Sequence, residues 1–104
     1  MQLYVIDWSF QNAEDQLFAT HEFCEYFKEG KFNQHIDGFE LNFIAHKPQN
    51  GSGIIICRAK NLNLLYKIFN MWRKNFSISF NFSPALTNED LLLLHSDKCF
   101  WAKD

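Results

Sequence analysis

Along this 104-residue chain the hydrophobic positions recur at intervals of two in some stretches and of three to four in others, and those changes of period divide it into elements. Residues 3–10 (LYVIDWSF) are β-branched and aromatic and predict a strand, ended by Gln11-Asn12. By parity Tyr4, Ile6 and Trp8 share one face and Leu3, Val5 and Asp7 the other, and either face could look inward. Residues 13–29 predict a helix: Asn12 is its N-cap, Glu14 and Asp15 come early, Lys28 comes late, and Gly30 follows. Leu17, Thr20, Cys24 and Phe27 recur at helical steps and are expected to face the core, with Phe23 and Tyr26 widening the stripe.

Residues 31–38 have loop chemistry, with Phe32 and Ile36 as expected anchors and Asp37-Gly38 as a turn pair. In residues 39–46, Phe39, Leu41, Phe43 and Ala45 alternate with Glu40, Asn42, Ile44 and His46, which predicts a strand with one fully apolar face. The turn sequence PQNGSG joins it in a hairpin to Ile54-Ile55-Ile56-Cys57, a continuous apolar run expected of a strand buried on both faces. Leu64, Leu65, Ile68, Phe69 and Trp72 then mark a second core-facing helix, capped by Asn61 or Asn63. Residues 76–82 (FSISFNF) alternate again as a strand, which Pro84 is expected to stop. Thr87 to Asp90 reads as a capping box opening a short helix through Leu91–Leu94, and a tail carrying Phe100 and Trp101 ends the chain.

The order β-α-β-β-α-β with a short C-terminal helix predicts an α+β, ferredoxin-like domain: a four-stranded antiparallel sheet with two helices on one face. A chain of 104 residues is one domain, with its core expected over residues 2–86 and the C-terminal helix and tail over 87–104. Aromatic residues make up 17% of it, 12 of them Phe, more than one modest core readily hides, so a second buried surface is expected. A net charge of −2 and the absence of a basic stripe argue against nucleic acid or an anionic membrane as partner. The chain shows no leader pattern and no apolar run near the ~20 residues that span a bilayer, so a cytoplasmic protein is expected. Its three cysteines, Cys24, Cys57 and Cys99, form no CxxC pair and read as free thiols.

The N-terminal strand, the PQNGSG turn running into IIICRAKN, the helix LLYKIFNMW carrying Trp72, and SPALTNED after the last strand together resemble the bacterial family called domain of unknown function 3303. That family is similar to the dimeric α/β-barrel superfamily of ferredoxin-like folds. The resemblance is best over residues 45–90, and its motifs are turn glycines and packing residues, so it carries no catalytic residue across. It implies a homodimer in which two sheets face each other, each backed by its own helices. The wider superfamily includes cofactor-independent monooxygenases, isomerases, haem-binding enzymes and stress-induced small proteins, among which fold does not choose.

No spacing matches a metal site, a catalytic triad or a phosphate loop, and no cofactor is implied. His46, at the end of a strand with Asn42 and Glu40 on its face by parity, is the best placed of the four histidines for acid-base work, the others being His21, His35 and His95. Arg58 could take an anionic or carbonyl group in a bidentate grip, or pair with Glu40. Asp7 is a carboxylate in a strand centre, which is unusual unless it is paired, exposed or functional, and pairing with a Lys or Arg is the leading expectation. Tyr4, Trp8, Asn42 and Asn81 are the expected ligand-binding residues around them.

The leading expectation is a homodimeric ligand-binding or protein-interaction module that takes a small apolar ligand or a protein partner. The alternative is a small cofactor-independent enzyme of the monooxygenase or isomerase type that uses His46, Asp7 and Arg58, and a weaker one is haem bound through His46 or His21. The Phe-rich last strand lacks the basic signature of an RNA-reading sheet, and Ser9-Phe10-Gln11-Asn12 lacks the Arg-bearing glycine loop of an acylphosphatase.

Overall fold

The computed structural model describes residues 1–30 and 36–96. Strand β1 (Gln2–Phe10), helix α1 (Ala13–Lys28), strands β2 (Phe39–Lys47) and β3 (Ser52–Ala59), helix α2 (Leu62–Asn75), strand β4 (Ile78–Ala85) and helix α3 (Asn88–Ser96) follow in chain order. The strands form one antiparallel sheet in the order β2-β3-β1-β4, the expected ferredoxin-like α+β arrangement. Phe32, His35, Cys99 and the Phe100-Trp101 tail lie outside the described residues.

The caps explain where the helices begin. Asn12 Oδ1 accepts the Asp15 backbone N–H at 2.8 Å, and Asn61, not Asn63, caps α2 by accepting the Leu64 N–H at 2.9 Å. Before α3, Thr87 Oγ1 accepts from Asp90 N at 3.0 Å while Asp90 Oδ2 accepts from Thr87 N at 3.3 Å, a capping box closed by Asp in place of Glu. The β2–β3 connection is a single 3₁₀ turn, Pro48–Asn50, ended by Gly51 at φ +61°, a left-handed position that glycine enters at no steric cost.

Cross-strand partners share a face, so the strand register sorts the whole sheet. Tyr4, Ile6 and Trp8 pair with Cys57, Ile55 and Gly53 on one side and with Pro84, Phe82 and Phe80 on the other. This is the helix side, where Tyr4, Ile6, Trp8, Ile55, Cys57 and Ala59 form one buried cluster with Leu65 and Phe69 of α2. All five expected inward positions of α2 turn toward the sheet, Leu65 being fully buried.

Four expectations fail here, each for a physical reason. Leu17, Thr20, Cys24 and Phe27 of α1 are exposed, and Ala19 turns inward together with Phe23 and Tyr26, the two residues expected to widen the stripe. Apolar residues surround most of this helix, so its stripe leaves the rotation undecided. Tertiary bonds decide it: Asp15 Oδ2 accepts from Ser77 N at 2.8 Å, and Gln16 Nε2 donates to the Pro48 carbonyl at 2.7 Å, pinning the first turn so that Ala19 meets the sheet. In β2, Asn42 has no partner on β3, where Leu41 pairs with Cys57 and Phe43 with the next residue, Ile56. This bulge inverts the parity beyond it, sending Ile44 and His46 to the helix side and Phe43 and Ala45 to the other. Phe76 ends α2 and does not open β4, and Pro84 does not stop the strand, because β4 pairs only with β1 and an edge position has a side on which a missing N–H costs no ladder bond. The Ile54–Cys57 run is buried on the helix side alone, since Ile54 and Ile56 on the other side keep partial exposure.

Candidate functional site

Among the described residues the main helix contacts to the sheet come from α1 and α2, and the buried core lies on the Tyr4-Ile6-Trp8 side, opposite the other sheet face. Its rows, read across the strands, are Ala45-Ile54-Asp7-Asn81, Phe43-Ile56-Val5-Ser83 and Glu40-Arg58-Leu3-Ala85. Val5, Ala45, Ile54 and Ile56 form an apolar centre, and Phe43 beside them is 53% exposed. Toward the hairpin end the face turns polar. There Asp7, Ser9, Lys47, Ser52, Ser79 and Asn81 line a cavity of about 240 Å³.

Asp7 and Asn81 stand directly opposite each other in this cavity. Asp7 is exposed and its carboxylate has no hydrogen-bond or ion-pair partner among the described residues, so the expected pairing with a Lys or Arg is not formed and exposure accounts for a carboxylate at the strand centre. Hydroxyls, an amide, a carboxylate and an ammonium around one small space can hold a polar ligand group by two or three directed hydrogen bonds.

A second cavity of about 220 Å³ lies on the helix side, beneath the first half of α1. Trp8, Phe10 and Phe23 give it aromatic walls, and His46, Cys24 and Thr20 bring polar groups to it. Its geometry begins with Gly53. In the row His46-Gly53-Trp8 the central residue has no side chain, and the Trp8 indole lies over the vacant position and meets the His46 ring edge-on at 5.3 Å between centroids. Phe23 meets the same imidazole at 5.0 Å.

The structure therefore separates the residues singled out from the sequence. His46 is on the helix side, away from Glu40, and it is exposed; Asp7 and Arg58 are both on the open face. Arg58 lies four residues along β3 from the partner of Asp7, about 13 Å away at the ordinary strand rise. It donates to the Met1 carbonyl at 3.3 Å, whereas Glu40, opposite it, accepts from Asn42 at 2.8 Å, so no Arg58–Glu40 ion pair forms. His46, Asp7 and Arg58 do not make one constellation. Tyr4 belongs to the helix-side core and Asn42 to the bulge; Asn81 joins Asp7, and Trp8, a core residue, also borders their cavity.

The cavity at His46, about 220 Å³, is smaller than the roughly 300–1,000 Å³ of pockets that enclose drug-sized ligands. His21 lines a separate groove of about 520 Å³ between α1 and α2, with Phe18, Tyr26, Met71 and Trp72. Among the described residues no three His, Cys, Asp or Glu side chains group as metal ligands, and no helix is long and apolar enough to cross a membrane. Sequence reasoning missed Gly53, and it placed Phe23 on the core-facing stripe of α1 but not at this site. The signal for Gly53 was present as the glycine that ends PQNGSG, read only as a turn residue. Phe23 depended on the rotation of α1, which no pattern within the helix fixes.

Cys57 is fully buried, and burial pushes its thiol up to about 11. At the α1 N-terminus the Ser77 backbone N–H, with smaller help from the Ser77 and Asn12 side chains, holds the Asp15 carboxyl below its usual 3.8 against the opposing effect of burial.

No curated protein and no solved structure matches the sequence. The family model described as Domain of unknown function (DUF3303) matches residues 2–98, nearly the whole chain, and the ferredoxin-like fold fits the superfamily that the resemblance implied. The chain belongs to the family described as a domain of unknown function, DUF3303.

Proposed function

We propose that the chain works as a homodimeric ligand-binding module, with two copies stacked through their open sheet faces and a small molecule held between them at the Asp7–Asn81 end. One observation carries the reading: the buried core lies on the helix side of the sheet, while on the other side Phe43 is exposed and Val5, Ala45, Ile54 and Ile56 around it are only half-buried. A soluble domain rarely leaves a contiguous apolar sheet face bare unless something covers it.

The dimensions suit a second copy. Four strands at ~4.8 Å spacing and eight residues at ~3.3 Å rise give a face of roughly 500 Å², so stacking two buries about 1,000 Å² in projection, the lower bound for a specific interface. The ligand expected there has a polar end for Asp7, Asn81, Ser79 and Lys47 and an apolar body to lie over Ile54 and Val5. Free thiols at Cys24 and Cys57 support a working place in the reducing cytoplasm.

The test is native mass spectrometry and light scattering of the wild-type protein and of Ile54→Asp. The wild type is expected to be dimeric at micromolar concentration, and a charge placed on the apolar centre is expected to leave a folded monomer by circular dichroism. A monomeric wild type, or a dimer that Ile54→Asp leaves intact, defeats the stacked-sheet reading. Ligand retention is scored in the same spectra as an added mass that Asp7→Ala removes.

A further inference from the structure

We propose that the helix-side cavity at His46 is a second binding site, independent of the open sheet face, for a single-ring phenolic compound. The size of the space comes first. An apolar cavity of roughly 150 Å³ is enough for one benzene ring, so about 220 Å³ holds one substituted ring and not two. The walls come second: Trp8, Phe10 and Phe23 surround the space with aromatic edges and faces, the surroundings in which a flat ring is best packed.

Chemistry at the wall selects the substituent. His46 borders the cavity, its ring is oriented by edge contacts with Trp8 at 5.3 Å and Phe23 at 5.0 Å, and its nitrogens have no hydrogen-bond partner among the described residues. A neutral imidazole offers one acceptor nitrogen, and the donor that pairs best with it is a phenolic hydroxyl. Gln16 also borders the cavity, but its amide is spent on the Pro48 carbonyl at 2.7 Å and fixes the hairpin turn there. Among the described residues no carboxylate lines this cavity, and the counter-charge a cationic amine would need is not among them. The cavity shares Trp8 and Ser52 with the lining of the Asp7–Asn81 space, but His46, Phe23, Thr20 and Cys24 border it alone, so the variants below test it separately from the dimer.

Cys24 supplies the readout, because it is exposed and lines the same cavity. Modification of Cys24 by iodoacetamide is followed by peptide mass spectrometry, with phenol or toluene as the probe and glutathione as the reference thiol. Phenol is expected to slow modification of Cys24 in a saturable way without slowing that of glutathione. Toluene is expected to protect about two- to tenfold more weakly, the worth of one hydrogen bond. His46→Ala, a change at an exposed residue, is expected to bring phenol down to the level of toluene and to leave toluene unchanged. Thr20→Trp, which fills the cavity from an exposed helix position, is expected to abolish protection by both. The proposal is overturned if phenol at its solubility limit leaves the Cys24 rate unchanged, if Thr20→Trp retains protection, or if His46→Ala weakens phenol and toluene equally.

Discussion

Gly53→Ala perturbs one hydrogen-sized space on which the helix side of the sheet depends. A Cβ built on Gly53 would overlap Trp8 Cζ2 and Cη2 and lie 2.5 Å from the Ala45 carbonyl oxygen, closer than real Cβ contacts come. The indole must therefore leave its place, and Trp8 is only 8% exposed. Truncating a buried Phe or Trp to Ala costs about 3–5 kcal/mol, and because the displaced ring keeps part of its packing the overpacking cost falls nearer the lower end. Replacing a strand glycine by alanine returns about 0.5–1 kcal/mol of backbone entropy. The net expectation is a loss of about 2–3 kcal/mol, or roughly 10–20 °C in Tm for a domain of this size. Guanidinium and thermal unfolding followed by circular dichroism read it directly. Trp8→Leu provides the control: with the ring gone, adding Gly53→Ala should cost clearly less than it does in the wild type, the residue being what the Ala45 carbonyl still exacts. A Tm shift under about 2 °C, or full additivity with Trp8→Leu, would refute the packing of Trp8 over Gly53.

The rotation of α1 predicts a contrast between leucines. Leu17→Ala should change stability by less than about 0.5 kcal/mol, whereas Leu65→Ala in the fully buried contact of α2 should cost about 3–5 kcal/mol in the same unfolding assay. Because the folded Asp15 carboxyl titrates below its usual 3.8, its stabilising effect is complete above that pH and is lost as the pH falls through the folded value. Asp15→Asn should therefore lower Tm at neutral pH, and the difference from wild type should shrink below pH 3.8. The raised thiol of Cys57 works with the opposite sign: its neutral form is stabilising below the ordinary 9.0, and the benefit fades as pH climbs from 9.0 to about 11. A plot of wild-type stability minus that of Cys57→Val should fall by about 2–3 kcal/mol across this window.

The strands, α2, the hairpin and the caps were legible because each is written locally, in period-two alternation, in the Leu64-Leu65-Ile68-Phe69-Trp72 spacing and in side chains such as Asn12, Asn61 and Thr87. What was not legible depends on a partner distant in sequence. The rotation of α1 is set by Ser77 and Pro48, and the fate of Pro84 by the position of β4 at the sheet edge. For the candidate site the sequence named Asp7, Asn81, Trp8 and His46, but strand parity alone assigned His46 to the face of Asn42 and Glu40. One unpaired residue reversed that assignment, and with it the idea that His46 and Asp7 act together.

That residue also offers the sharpest test of how the two faces are built. Without Asn42, the pairs Leu41–Cys57 and Phe43–Ile56 become consecutive steps of an uninterrupted ladder, and every other β2 residue keeps its partner. Deleting Asn42 is therefore expected to be tolerated, at about 1 kcal/mol or less, since what disappears is a local twist and the exposed Asn42–Glu40 hydrogen bond. Deleting Ile44 has the opposite logic. It would leave the bulge in place and shift all that follows, bringing the His46 side chain to the open face and taking Ala45 to the helix side, so that the Trp8 ring loses its edge contact and Ile55 loses its neighbour. Folded protein after the Asn42 deletion, with Cys24 still protected by phenol, together with unfolding or loss of that protection after the Ile44 deletion, is the expected pair of results. Equal damage from both would mean that Asn42 is required for more than the ladder, and would return it to the list of ligand-binding residues.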